Sequence, residues 1–285
     1  METELKPTSR FLLQGAAALL ALAAGCVKDA RFEPRAGAPE NMLAADADAR
    51  AEAVRKDPLA YLRRVKYNCA QLEQYTLTLT RVERRGFFRT LKGPERIACK
   101  FRRSPFSVYM KWLDPQVKYG ESTYVQGRDG NKVRFRPRHG LFGLPPGVFA
   151  VELHTPVTWG EARHPMTSFG LERLMEQSLD GIDAGEEYIL RYEGLAQLPE
   201  SNRLVHHLYF EFPNWKHKAP IEDLYVDVET NLPVATYLRY KSGRLDAAYI
   251  YDDVNVDVSL TDDDFLLEVE RDPGNSQATA AVEDS

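Results

Sequence analysis

From Tyr75 to Thr80 apolar and polar side chains alternate one for one, with Tyr75, Leu77 and Leu79 set against Thr76, Thr78 and Thr80. That is the period of a strand buried on one face only. Just before it the period is longer. Leu59, Leu62, Val65, Cys69 and Leu72 recur at three- and four-residue steps behind Asp57-Pro58, a pair suited to an N-cap and a first-turn proline. This predicts an amphipathic helix leading into a strand. Strand-like segments then dominate at 95–102, 106–113, 122–126 and 132–136, separated by turns at Pro94, Asp114-Pro115 and Arg128-Asp129-Gly130. A stretch rich in Gly and Pro, 140–147, interrupts the pattern. Residues 167–180 form the second helix candidate, with Phe169, Leu171, Leu174, Met175 and Leu179 clustered and Gly181 placed to end it. Strands follow at 187–192, 204–212, 223–228, 234–241 and 246–256. Roughly nine or ten strands with two helices and short connections predict a mainly β protein of the α+β class. Its expected form is a single strongly curved antiparallel sheet with two covering helices.

The N-terminal apolar run is of another kind. Phe11 to Ala24 follows Lys6 and Arg10 and ends in Leu22-Ala23-Ala24-Gly25-Cys26. It is too short for the roughly 20 residues of a membrane-spanning helix and right for the core of a secretory signal. With small residues before a cysteine it resembles a bacterial lipoprotein signal. That resemblance implies acylation of Cys26, cleavage after Gly25 and a membrane partner reached through an N-terminal lipid anchor. Val27 after the cysteine, where an aspartate would favour inner-membrane retention, points by analogy to the outer membrane. The chain then divides into a signal at 1–25, a tether at 26–57 poor in large apolar groups, a domain at 58–271, and a small, polar, disordered tail at 272–285.

A net charge of -5 excludes the strongly basic face of a nucleic-acid-binding protein. Of three cysteines, Cys69 and Cys99 remain beside Cys26. In an oxidising compartment they form either one disulfide or two buried thiols. No nucleophile elbow, HExxH, phosphate-binding glycine loop or CxxC is present, so neither an enzyme nor a cofactor is expected. His206 and His207 are neighbours on a strand and point to opposite faces, which prevents joint chelation of a metal. His164 either fixes its loop or lines an opening. Asp262, Asp263 and Asp264 lack the spacing of a calcium loop and suit a capped turn. Arg134, Arg136 and Arg138 share one strand face. With Lys100, Arg102 and Arg103 they would make either a cationic strip for anionic head groups or a solvated edge.

Several runs are familiar together: Tyr75-Thr76 with Arg81-Val82-Glu83-Arg84, Ser104-Pro105-Phe106-Ser107-Val108-Tyr109-Met110-Lys111-Trp112, Arg163-His164-Pro165-Met166-Thr167 with Gly170-Leu171, and Leu260-Thr261-Asp262-Asp263-Asp264-Phe265. They resemble the family called domain of unknown function 1571, over about 61–265. The resemblance implies a fold like that of the periplasmic lipoprotein carriers LolA and LolB, a half-open barrel holding acyl chains in an apolar hollow under helices. It implies no established activity. The expected hollow is lined by Tyr75, Leu77, Leu79, Phe106, Val108, Met110, Trp112, Leu171, Leu174 and Met175, and its expected occupant is a lipid or the acyl chains of a lipidated protein. The other reading is an envelope structural or interaction module whose core is filled.

Overall fold

The computed structural model describes residues 35–36, 47–140, 145–198, 203–214 and 219–271. The signal, Cys26 and the tail from residue 272 lie outside the described residues. A two-residue strand, β1 (Arg35–Ala36), comes first, then helix α1 (Ala47–Lys56) and helix α2 (Pro58–Ala70). In α2 the Asp57 carboxylate accepts the Ala60 N–H at 2.9 Å, and Pro58 sits where no intrahelical N–H is needed. Tyr61, Leu62, Val65 and Cys69 form its buried stripe. The helix α1 corrects the extent of the tether. Its Ala47, Ala51 and Val54 recur at helical spacing and are buried, and α1 lies against the sheet. Small side chains let a weakly apolar segment pack closely enough to be ordered.

Five strands follow: β2 (Gln74–Arg85), β3 (Thr90–Arg102), β4 (Ser107–Trp112), β5 (Tyr119–Val125) and β6 (Val133–Pro137). Two short elements appear that the apolar pattern does not mark, strand β7 (Phe149–Val151) and the single turn α3 (Thr155–Thr158). The second long helix is α4 (Leu171–Asp183). Then come β8 (Ile189–Gln197), β9 (Leu204–Glu211), β10 (Ile221–Asp227), β11 (Pro233–Arg239), β12 (Leu245–Asn255) and a last turn of helix, α5 (Glu268–Arg271). No helix among the described residues is long and apolar enough to cross a membrane.

All twelve strands join one antiparallel sheet in the order β1-β8-β9-β10-β11-β12-β2-β3-β4-β5-β6-β7. The long strands β2 and β12 lie side by side in the middle, so the sheet is two runs of hairpins joined at its centre. It is open, with β1 and β7 as its edges. Strands as far apart as β6 and β10 line one cavity, which makes the curvature strong. Helices α2 and α4 pack together on the concave face, as the two covering helices expected from the sequence.

The main core fills one half of that face. There Leu62, Val65 and Cys69 of α2 and Leu171, Met175 and Leu179 of α4 meet Tyr75, Leu77, Cys99, Phe101, Val108, Leu208 and Leu224 of the sheet. Tyr75 fixes the start of α4, because its buried hydroxyl oxygen accepts the Leu171 N–H at 2.9 Å. Gly170 just before it has φ +133°, and a Cβ there would stand 3.3 Å from the Phe101 ring and 3.4 Å from the Tyr75 hydroxyl.

Candidate functional site

Period-two alternation on β2 continues past Leu79 on the same face, but the residues change to Arg81, Glu83 and Arg85. Their neighbours in register are Glu95 on β3, opposite Arg81, and Tyr249 on β12, also opposite Arg81. Beyond this change of character the two long helices no longer fill the concave face, and a cavity of about 990 Å³ opens. That is the upper part of the range, roughly 300–1,000 Å³, in which small-molecule pockets fall. Its apolar wall includes Leu79, Met110, Trp112, Phe135, Phe169, Leu174, Phe212 and Tyr251. Its polar wall includes Arg81, Glu83, Arg163, His164, Ser178, Glu222, Thr236 and Tyr249. The loop between α3 and α4 closes one side.

The charges of the polar wall are held by one another. Arg81 donates to Glu95 Oε2 at 2.6 Å, Arg85 donates to Glu95 Oε1, and the Trp112 indole N–H reaches Glu95 Oε2 at 3.3 Å. Burial works against an ionised Glu95, but the Arg81 and Arg85 guanidiniums outweigh it and hold the carboxyl below the usual carboxylate range. Tyr249 donates its hydroxyl to Glu83 at 2.6 Å. Asp246, fully buried, accepts from Tyr240 at 2.7 Å and Arg89 at 3.0 Å and pairs with Arg163 at 2.8 Å. Close backbone approach helps seat this end of β2, for a Cβ on Gly93 would lie 2.4 Å from the Arg81 carbonyl oxygen. Glu222 stands apart from the ion pairs. Its Oε1 accepts from Ser178 of α4 at 2.7 Å and from Thr236 of β11 at 2.8 Å, and burial pushes its carboxyl up despite both hydroxyls.

The expected lining residues divide between the cavity and the core. Leu79, Met110, Trp112 and Leu174 line the cavity. Tyr75, Leu77, Val108, Leu171 and Met175 are buried in the packed core, and Phe106 packs against it. Arg134, Arg136 and Arg138 form no strip with Lys100, Arg102 and Arg103, because β4 and β5 separate β6 from β3. Each has partners of its own. Arg134 pairs with Glu270, Arg136 donates to the Pro146 carbonyl at 3.3 Å, and Arg138 donates to the Trp112 carbonyl at 2.6 Å. Nor is β6 a sheet edge, since β7 pairs with it. Lys100, Arg102 and Arg103 pair with Asp264, Asp262 and Glu172. Cys69 and Cys99 are unbonded, so of the two readings the structure has the pair of buried thiols. Burial pushes the Cys69 thiol up to about 12 and the Cys99 thiol higher still.

His206 and His207 do take opposite faces. His206 is buried beside Tyr61, with Nδ1 2.9 Å from the Tyr192 hydroxyl, while His207 pairs with Asp223 at 2.8 Å and stacks on Tyr225. His164 lines the cavity, and burial followed by the adjacent Arg163 charge pushes its pKa down. The three aspartates form a capped turn, in which Asp264 accepts from both the Thr261 N–H at 2.9 Å and its hydroxyl at 3.1 Å. No group of His, Cys, Asp or Glu among the described residues has a metal-holding arrangement. The residues missed from the sequence are Arg81, Glu83, Tyr249 and Glu222. A signal for Arg81, Tyr249 and Glu222 was present, since each shares a strand face with apolar residues two positions away, whereas Glu83 is flanked at that spacing by Arg81 and Arg85.

Fold and cavity together define an open antiparallel-sheet protein with a ligand-sized space under one helix. The sequence profile of the family described as protein of unknown function DUF1571 matches residues 72–273, and the chain belongs to that family. A comparison with curated proteins finds no match. Among solved structures the chain is similar to MucB, at 16% identity and TM-score 0.45 over 75% of this chain. The match spans 63% of the MucB chain. It is similar to lipoprotein LppX of Mycobacterium tuberculosis, at 12% identity and TM-score 0.43 over 72% of this chain and 100% of that one. It is also similar to the LolA superfamily protein NE2245 of Nitrosomonas europaea, at 10% identity and TM-score 0.33 over 73% and 97%. Likenesses this distant carry no function across.

Proposed function

We propose that this chain is a lipid-anchored protein of the bacterial envelope, facing the periplasm, that acts by binding and not by catalysis. It takes the acyl chains of a lipid, or of a lipidated protein, into the cavity between α4 and the sheet. The observation that carries this reading is the 990 Å³ space itself, with an apolar wall at Leu79, Met110, Trp112 and Leu174 and a polar wall at Arg81, Glu83 and Glu222. An amphiphile is the ligand whose two parts match two such walls, and burying its chain releases roughly 25 cal/mol per Å². An interior with this much free space speaks against a module whose core is filled.

The anchor is Cys26, in the outer membrane by the Val27 rule. Support from the folded part comes at the β2–β3 turn, where Phe87 and Phe88 are 95% and 85% exposed. Large apolar groups standing free at a turn suit a protein held near a lipid surface.

Uptake of a fluorescent fatty acid tests the reading. Delipidated wild-type protein is expected to bind it, and Leu174→Glu to abolish binding while lowering the melting temperature only modestly, because the new carboxylate opens on a cavity and not into packed core. Wild-type protein that takes up no probe after delipidation overturns the acyl-binding reading. For the anchor, Cys26→Ser is expected to take up no labelled palmitate, and efficient labelling of that variant overturns it.

A further inference from the structure

We propose that Arg163, assisted by Arg89, receives the negatively charged head group of an anionic acyl lipid, a carboxylate or a phosphodiester at the end of the chain. This rests on the acyl-binding reading and names the lipid class that the same cavity selects.

Arg163 lies on the loop between α3 and α4, Arg89 lies at the β2–β3 turn, and both border the cavity. They flank one carboxylate. Asp246, fully buried behind them, has Oδ1 3.0 Å from Arg89 Nη2 and Oδ2 2.8 Å from Arg163 Nη1. The contact to Arg163 lacks hydrogen-bond alignment, and its buried Nη1 has no acceptor among the described residues. The other N–H donors of Arg163 have none there either, although its side chain is only 20% exposed. Arg89 Nε is likewise buried without an acceptor. Buried donors usually have partners, so two such guanidiniums on a cavity wall mark a place where ligand oxygens supply them.

The charges at this end of the cavity decide the sign of that ligand. The guanidiniums of Arg81, Arg85, Arg89 and Arg163 are gathered around the carboxylates of Glu83, Glu95 and Asp246. Glu95 serves Arg81 and Arg85 together, and Asp246 serves Arg89 and Arg163 together. Glu83 stands 3.8 and 3.5 Å from the Nε atoms of Arg81 and Arg85 and accepts from Tyr249. Four cations against three anions leave one positive charge over. The other charged groups of the lining do not cancel it. Lys118 and Glu161 pair with each other, while Asp180 and Glu222 form no ion pair with these guanidiniums among the described residues. A surplus charge beside an apolar wall is unfavourable until an opposite charge meets it. An anionic amphiphile supplies that charge and places its chain along Leu79, Met110, Trp112 and Leu174. An acyl ester or amide, which carries no charge, leaves the surplus in place.

The alternative is that Arg163 only pins its loop to Asp246. The two roles separate on probes of equal chain length, a fluorescent fatty acid, its methyl ester and the corresponding alkylammonium, measured on the delipidated full-length protein at pH 8. Wild-type protein is expected to bind the fatty acid at least tenfold more tightly than the ester, and the ammonium most weakly. Arg163→Gln is expected to bind the fatty acid about tenfold more weakly and the ester within about threefold of wild type. Arg89→Gln is expected to do the same to a smaller degree, and either variant leaves Asp246 one guanidinium. A purely structural Arg163 would instead lower binding of all three probes alike. Displacement of the bound fatty acid by lysophosphatidylglycerol at a lower concentration than by palmitate identifies the phosphodiester as the head group, and the reverse order identifies the carboxylate. Ester binding as tight as that of the fatty acid overturns the proposal, as does an Arg163→Gln protein that binds the fatty acid as wild type does or loses both probes equally. If Arg163→Gln does not fold, the wild-type selectivity and Arg89→Gln still decide. Wild-type protein that binds no probe overturns the acyl-binding reading itself, a result distinct from binding that is indifferent to charge.

Discussion

On β2, Tyr75 and Leu77 face a packed core, whereas Arg81 and Glu83, on the same face of the same strand, face a cavity. The backbone alternation is unbroken between the two regions. What differs is what sits opposite. Over the first half, α2 brings Leu62, Val65 and Cys69 and α4 brings Leu171, Met175 and Leu179, and apolar surface meets apolar surface. Over the second half the cavity wall carries Arg81 and Glu83, with Arg85 and Glu95 buried beside them, and a helix could cover that wall only by supplying polar partners. The charges pair with one another instead, and the space above them stays free. The switch from Leu79 to Arg81 is therefore the boundary between the part of the face that holds the fold together and the part left available for a ligand.

The strongest way to break this comparison is to remove a charge from the open half. Glu95→Leu takes away the carboxylate that serves both Arg81 and Arg85, side chains that are 11% and 7% exposed. Two buried guanidiniums are then left to share Glu83, at 3.8 and 3.5 Å, which is expected to cost about 3 kcal/mol in urea unfolding. A loss below about 1 kcal/mol would mean that water in the cavity hydrates these groups, and that the wall is less closed than its burial indicates. The next effect concerns apolar truncations. Leu62→Ala in α2, fully buried, is expected to cost about 2–5 kcal/mol, while Met110→Ala on the cavity wall, already beside free space, costs under about 1 kcal/mol. Equal losses at the two positions would show that the halves are packed alike.

The packed half was the more legible in sequence, and for a physical reason. Burial against a helix demands an apolar residue at every second or every third to fourth position, and that pattern marks α2, α4 and the long strands directly. Where the pattern thins, legibility failed. The segment containing α1 read as tether because its buried face is Ala47, Ala51 and Val54, and β7 and α3 follow a Gly- and Pro-rich stretch with little periodicity. The cavity was half legible. Apolar residues were expected to line it, and Leu79, Met110, Trp112 and Leu174 do, but apolarity alone does not separate a residue beside a cavity from one beside a helix. Tyr75, Leu77, Val108, Leu171 and Met175 carry the same signature and lie in the core. The sharper sign was a polar residue in an apolar file, as with Glu222 ahead of Leu224 and Val226 on β10, since burying it is unfavourable unless something meets it.

The smallest expected effect distinguishes the halves by pH. His206 lies on the packed side, 1% exposed, with the edge of its ring against Tyr61 of α2 and Nδ1 on the Tyr192 hydroxyl. Burial, and after it the charge of Arg50, pushes its pKa from 6.5 down to about 4, against the attraction of Asp227. Between those two values the unfolded chain binds a proton that the folded chain refuses. The stability contributed by the neutral ring is therefore complete above pH 6.5 and is lost as the pH falls through about 4. At pH 5.5 the loss is about 1 kcal/mol. His206→Gln is expected to flatten the fall in melting temperature between pH 7 and 5. His164→Gln, on the cavity wall and exposed, is expected to leave most of that fall in place. A profile that His164→Gln flattens more than His206→Gln would reverse the assignment and make the open half the acid-sensitive one.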